Sequence, residues 1–266
     1  MRSRNPVWRR DAFHAGLVAL ASAPVGSRIL DLGCAGGATV PHLLAAVGPS
    51  GRVVAADRDQ LGLVAVAADH PGPRSDGRLV LAGLDGDGPL PFASASLDAL
   101  VCHNVMECIR GRQELVAEMA RILTPGGVAV VGHYDFDGVL LAGDDRDLTR
   151  RMVHGYADHT QAWQDVSEGQ MGRLLPGLFA GSAFNRVETE TVLFVELALT
   201  DDGYARRHLD GMVAVSSHHG VSGTDADAWL AQMEARSAAG RFYYALPWTY
   251  VVARTAEAGS LAGGTT

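Results

Sequence analysis

No stretch of the 266 residues is long and apolar enough to cross a membrane. No run of Lys or Arg marks a nucleic-acid surface, and with a net charge of −8 the chain repels phosphate backbones. That argues against the usual electrostatic routes to DNA and RNA, and leaves a small molecule as the expected partner. Cysteine is scarce. Cys34, Cys102 and Cys108 are odd in number and lack metal-ligand spacing. They read as reduced thiols of a cytoplasmic protein rather than a disulfide frame or a zinc site. There is no internal repeat.

The N-terminus carries twin arginines, a short apolar run and an A-x-A ending at Ala23, the outline of an export signal. Asp11 and His14 interrupt the apolar run, and cleavage after Ala23 would fall five residues before the first strand. An amphipathic helix over 8–22, with Trp8 and Phe13 on it, is the expected structure. With 47% hydrophobic residues the chain has enough apolar material for one sizeable core, and a single domain over 1–256 is expected. The small-residue tail 257–266 is expected to fray.

Short apolar strands alternate with helical patterns, which is how a doubly wound α/β sheet reads. Strands are expected at 28–32, 52–57, 78–83, 97–102 and 128–132. Helices are expected at 38–47, 60–68 and 112–123, with the TPGG of 124–127 turning the chain after the last. In that helix Leu115, Val116, Met119, Ile122 and Leu123 share a face. After 132 the pattern changes. Residues 144–170 are polar, helical and rich in His, and Met171, Leu174, Leu175, Leu178 and Phe179 repeat as a packed helix face. Residues 186–197 alternate as a strand. Two helices fill 201–239, with Thr224 and Asp227 spaced as a capping box. Residues 241–254 close the sheet, with a bulge or break expected at Pro247.

One stretch calls for a ligand. RILDLGCAGGATV, Arg28 to Val40, runs an apolar strand into Asp31 and then into a glycine-rich turn that opens a helix. Such a turn lets a ligand approach the backbone and meet exposed N–H groups. The dinucleotide pattern G-x-G-x-x-G fits imperfectly, with Gly33, Ala35 and Ala38 in its register. A ligand with a ribose, an adenine and an amino-acid tail fits the same turn without needing a phosphate. Asp57 ends the second strand, where a carboxylate accepts ribose hydroxyls. Asp85, in GLDGDGPLPF, can meet adenine nitrogens.

With SLDALVCHNVMECI and ARILTPGG following in order, residues 26–133 resemble the class I S-adenosylmethionine (SAM)-dependent methyltransferases. Within them they resemble the small-molecule branch that includes quinone-biosynthesis enzymes. The resemblance implies a Rossmann-like, seven-stranded, mostly parallel sheet of order 3-2-1-4-5-7-6 with helical cover at 140–170 and 200–239. It implies SAM as methyl donor. Asp31, Gly33, Cys34, Ala35 and Gly37 would hold its methionine portion, Asp57 and Arg58 the ribose, and Asp85 and Gly86 the adenine. His103 and Asn104 would lie beside the sulfonium. Ala35 stands where the family usually has a second glycine, which is tolerable if its φ stays negative.

The substrate side is expected after the fifth strand, at His133, Tyr134 and Asp135, as base and orienting groups. The alternative reading of His133 and Tyr134 is that they cap the strand end and pack under the insertion. His133 and Asp135 with a distant His208 or His218 would outline a two-His-one-carboxylate iron site, but no metal is expected. His154 and His159 lack the spacing of a helical metal pair. Tyr156, Trp163 and Trp229 are lid or core aromatics. Glu107, Asp135, Asp137 and Glu168 would suit a cationic substrate or are solvated acids. The expected activity is methyl transfer to O, N or C of a metabolite, by a monomer or homodimer. The rivals are an NAD-dependent dehydrogenase, a non-catalytic SAM-binding protein, and a SAM-fold enzyme with other chemistry.

Overall fold

The computed structural model describes residues 12–161, 164 and 168–258. Trp8, Trp163 and the tail from 259 lie outside the described residues, so the expectations for them are not addressed. Five strands, β1 (Arg28–Leu32), β2 (Arg52–Asp57), β3 (Leu79–Gly83), β4 (Leu97–His103) and β5 (Leu123–Tyr134), alternate with helices α1 (Phe13–Ala21), α2 (Val40–Val47), α3 (Gln60–Asp69), α4 (Pro71–Ser75) and α5 (Arg112–Ile122). Then come β6 (Leu140–Leu141), α6 (Arg146–Asp158), α7 (Met171–Phe179), β7 (Arg186–Glu196), α8 (Tyr204–Val215), α9 (Gly223–Ala238) and β8 (Tyr244–Arg254).

The sheet has eight strands in the order β3-β2-β1-β4-β5-β8-β6, with β7 also paired to β8. β1 to β5 pair in parallel. The expected order holds once the two-residue β6 is counted, because it shifts the last two strand numbers by one. This is the Rossmann-like mixed α/β fold.

The chain divides into two compact units. Unit 1 comprises 1–132, 175–190 and 250–266, and unit 2 comprises 133–174 and 191–249. The core of unit 1 is the parallel sheet and its helices. Ile29, Leu30, Leu43, Val53, Leu100 and Met119 are at most 1% exposed. Each such side chain contributes about 1.5–3 kcal/mol by leaving water. The periodic face of α5 is buried as its spacing implies. The core of unit 2 gathers around Met152, Leu209, Met212, Trp229, Met233 and Leu246. The two segments expected as helical cover lie in unit 2.

Four local expectations are corrected. The TPGG segment does not separate helix from strand. It is the beginning of β5, whose pairing with β4 shifts register between Leu97 and Ala99 and so absorbs the extra residues. β8 runs unbroken through Pro247, whose carbonyl accepts from Asp135 N–H at 2.9 Å, so the strand loses only a donor. The α9 cap lies two residues earlier than expected: Ser222 Oγ accepts from Asp225 N–H at 3.1 Å. Leu174 is 43% exposed, because Arg173 and Leu174 share the outer side of α7.

Candidate active site

In unit 1 the loop after β1 is latched to the end of β2. Gly33 and Cys34 N–H both donate to the Ala56 carbonyl, at 2.8 and 3.0 Å. Asp57 accepts from Ala35 N–H with Oδ2 at 2.7 Å and from Asp59 N–H with Oδ1 at 2.8 Å. Each carboxylate oxygen keeps a second lone pair. Asp57 therefore shapes the loop and can still accept ribose hydroxyls. Asp59 caps α3 through Leu61 N–H at 2.9 Å. Arg58, between the two acids, is exposed.

The turn admits no side chain at two glycines. Gly33 has φ +78°, and a Cβ there would lie 2.1 Å from Val105 Cγ2. Gly37 has φ +79°, and its Cβ would lie 2.6 Å from Val66 Cγ2. Gly36 meets nothing within 4 Å, so space is open over the loop. Ala35 has φ +44°, so the condition under which alanine would be tolerated without strain is not met. The alanine accepts a glycine-like conformation because its N–H is held by Asp57.

Two buried acceptors stand at neighbouring strands. Asp31, 3% exposed on β1, has no partner for Oδ2 among the described residues. Burial first, and the Asp57 charge second, push its carboxyl up to about 7. Asn104 follows β4 with φ +57°, its N–H donating to the Gly132 carbonyl at 2.8 Å, and its Oδ1 is likewise unmatched. Buried acceptors without donors suit a donor-rich ligand such as an ammonium group. Cys34 is no nucleophile here: burial, and then the charges of Asp31 and Asp57, push its thiol up to about 12.

The His103 ring lies 4.7 Å from that of Phe13, and His14 Nδ1 lies 3.0 Å from Thr39 Oγ1, so α1 is tied to the end of β4 and the start of α2. Asp85 accepts from Asp87 N–H at 3.1 Å. A Cβ at Gly86 would meet Ile109 Cδ1 at 2.7 Å, so that side chain would have to move to admit one. Asp87 was not singled out by the sequence reading. Its Oδ1 accepts from Arg110 and Gly111 N–H at 2.7 and 3.0 Å, which joins the loop after β3 to the one before α5. The doubled Asp-Gly of GLDGDG was its only signal. Val105, which forces glycine at 33, had none.

In unit 2, His133 is fully buried, with Nδ1 2.8 Å from the Tyr134 carbonyl oxygen. The Tyr134 ring packs on Phe136, Phe194 and Tyr204. Asp135 accepts four hydrogen bonds, from Arg173 Nε (2.6 Å), Nη2 (2.5 Å) and N–H (3.1 Å), and from Gly138 N–H (2.7 Å). Arg173 also reaches Asp137 at 3.0 Å. Both oxygens of Asp135 are thus committed to holding the segment. His154 faces Asp137 at 3.9 Å, and His159 lies beside His218 and His219. Trp229 is core, its Nε1–H donating to Thr149 Oγ1 at 3.1 Å. Among the described residues no group of three or more His, Cys, Asp or Glu is arranged to hold a metal ion, and no helix is long and apolar enough to cross a membrane.

Residues 30–131 match the family described as a methyltransferase domain. An uncharacterised 37.1 kDa protein in transposon Tn4556 of Streptomyces fradiae is 29% identical over 179 residues, 66% of this chain and 49% of that protein. The chain spans about half the length of that relative. The YcgJ protein of Bacillus subtilis superimposes with a TM-score of 0.58 at 14% identity, over 92% of this chain and 98% of that one. Haemonchus contortus phosphoethanolamine N-methyltransferase 2, solved with phosphomonomethylethanolamine and S-adenosylhomocysteine, gives 0.53 at 16%, over 91% and 51%. At these identities the structural likeness is one of fold.

Proposed function

We propose that the chain, whose residues 30–131 match the methyltransferase-domain family, transfers a methyl group from SAM to an O, N or C atom of a small-molecule metabolite. The observation that carries this is the latched loop: a turn closed to side chains at Gly33 and Gly37, open above Gly36, beside two buried acceptors without donors.

In this reading the backbone of Gly33, Cys34, Ala35 and Gly37 cradles the methionine tail. Asp31 Oδ2 accepts from its ammonium. Asp57, already fixed by Ala35 and Asp59 N–H, accepts the ribose hydroxyls, with Arg58 beside it. Asp85 and Gly86 meet the adenine. His103 and Asn104 stand next to the sulfonium. When bound, SAM supplies a methyl group on cationic sulfur, whose loss leaves a neutral thioether. The chain's part is then alignment and exclusion of water. A base is needed only where the acceptor must lose a proton.

His133 follows Gly132, the register partner of His103, and remains the candidate base. Tyr134 would orient the acceptor. Asp135 would act on it only through the segment that Arg173 holds in place. A small-molecule acceptor fits the charge of −8. Three free cysteines fit a reducing cytoplasm, and the chain would act as monomer or homodimer.

The test is incubation of the full chain with methyl-labelled SAM and a fractionated metabolite extract. Label should enter one low-mass fraction. Absence of transfer, with NAD bound in preference to SAM, would make the chain a dehydrogenase instead.

A further inference from the structure

Unit 1 holds a histidine that this mechanism does not use. His133, the base candidate above, is fully buried and turns Nδ1 to the Tyr134 carbonyl. His14 lies on α1 and is half-buried, so part of its ring meets solvent. The adjacent Phe13 ring packs on His103, at the end of β4, with 4.7 Å between centroids. His14 Nδ1 lies 3.0 Å from the hydroxyl of Thr39, which follows Gly37 and directly precedes α2. In a doubly wound sheet the ends of the strands and the starts of the helices after them form the ligand edge. α1 is pinned at two points of that edge.

Thr39 occupies the N-cap of α2, where a threonine hydroxyl ordinarily accepts from a backbone N–H of the first turn. It makes no such bond. The helix forgoes its side-chain cap, and the hydroxyl of this buried residue goes to the imidazole instead. That is how a base is held by an orienting group. α1 packs on α2 and β4. The titratable groups of those two elements are His42 on α2 and Asp98, Cys102 and His103 on β4. Asp98 is paired with Arg28, and Cys102 is buried with its thiol pushed up. The His42 ring stacks on His14 at 6.5 Å with the planes 7° apart, so two positive charges there would repel. Burial first, and the His42 charge second, hold His14 below the usual imidazole range. It is uncharged at pH 7 and open to a proton.

We propose that His14 Nε2 is the base that takes the proton of a hydroxyl or amine acceptor, with Thr39 Oγ1 accepting from Nδ1–H to hold the ring and its tautomer. The acceptor's oxygen or nitrogen bonds to the methyl carbon as the carbon–sulfur electron pair stays with sulfur, and its proton passes to His14 Nε2 and then to water. The inference rests on the methyltransferase reading. It puts the base in the same unit as the cofactor loop, and it makes Thr39 a positioning residue that acts through His14.

The test uses the full chain, methyl-labelled SAM and the low-mass fraction that takes label from the parent. His14→Gln should cut turnover by about 10²–10⁴-fold with S-adenosylhomocysteine affinity unchanged. In the parent, kcat/KM should fall in acid as His14 gains its proton, below about pH 6.5, and this limb should vanish in His14→Gln. His42→Gln removes the repelling neighbour, so its acid limb should move to higher pH. Thr39→Val should lose part of the turnover. Histidine ¹⁵N spectra should show His14 protonated at Nδ1 and bare at Nε2 above the limb. The inference falls if folded His14→Gln keeps parental turnover or the acid limb, if the proton sits on Nε2, or if the limb does not move in His42→Gln. Loss of turnover in His133→Gln with none in His14→Gln assigns the base to His133 instead. Should His14→Gln fail to fold, the parental tautomer and the His42→Gln profile decide. S-adenosylhomocysteine binding and transfer that ignore His14 overturn this inference alone. A parent that neither binds S-adenosylhomocysteine nor transfers label overturns the methyltransferase reading, and this inference with it.

Discussion

Replacing Gly33 by alanine probes the loop that the whole cofactor reading depends on. Gly33 sits at φ +78°, where an L side chain is strained, and its Cβ would come within 2.1 Å of Val105 Cγ2. The left-handed conformation costs about 1–2 kcal/mol. Forcing a methyl group into packed surroundings costs about 1–3 kcal/mol more. The sum, about 2–5 kcal/mol, should lower Tm by about 4–20 °C at the roughly 2–4 °C per kcal/mol of a chain this size. SAM affinity should fall as well, because relief requires the loop to leave Ala56 and Asp57. Scanning calorimetry and SAM titration measure both. The two contributions separate in a double-mutant cycle with Val105→Ala, which removes the collision and leaves the strain. The cycle should return about 1–3 kcal/mol of favourable coupling. Parental Tm and affinity in Gly33→Ala would refute both the φ and the contact.

Three further outcomes follow from single residues. Ala35→Gly removes a methyl group from φ +44° and should raise stability by about 0.5–1 kcal/mol without weakening SAM; a tenfold loss of affinity in titration would mean that the methyl group is part of the pocket. The Asp31 carboxyl lies near 7 in the fold, above the roughly 3.9 of an unfolded chain, so the native state holds the extra proton and unliganded stability should fall as pH rises from about 4 to 7. Denaturant titration at pH 5 and 8 should show this slope shrinking in Asp31→Asn, and an equal slope in both proteins contradicts it. If His133 is the base, His133→Gln should cut turnover by about 10²–10⁴-fold with SAM affinity unchanged; parental turnover in a variant of parental Tm would make His133 structural.

The parallel half of the fold was legible because its strands are continuous apolar runs set between helical periods, and 3.6 and 2 are distinguishable repeats. The order of strands came from the family resemblance rather than from any local signal. Helix caps and strand bounds were not legible at Ser222, at TPGG or at Pro247, since tertiary pairing decides which of several competent residues terminates an element. In the loop, the sequence named Asp57 for a ribose. It could not show that the same carboxylate holds Ala35 in a left-handed turn, because that depends on strand register. Asp135 looked like a base by position, yet a cation 38 residues away, Arg173, engages both of its oxygens. Long-range partners of this kind have no sequence period. His208 drew notice only as a distant metal ligand, and the rings around it come from four segments: Phe136 after β5, Tyr156 on α6, Tyr204 on α8 and Tyr244 on β8.

The most direct measurement is calorimetric titration of SAM and of NAD into the full chain and into Asp57→Ala. The account predicts that SAM binds the parent saturably and NAD does not. It predicts that Asp57→Ala, still folded by circular dichroism, loses about 1.5–3 kcal/mol for each charge-assisted hydrogen bond to the ribose, roughly tenfold or more in affinity. NAD binding in place of SAM, or SAM binding to folded Asp57→Ala with parental affinity, would contradict it.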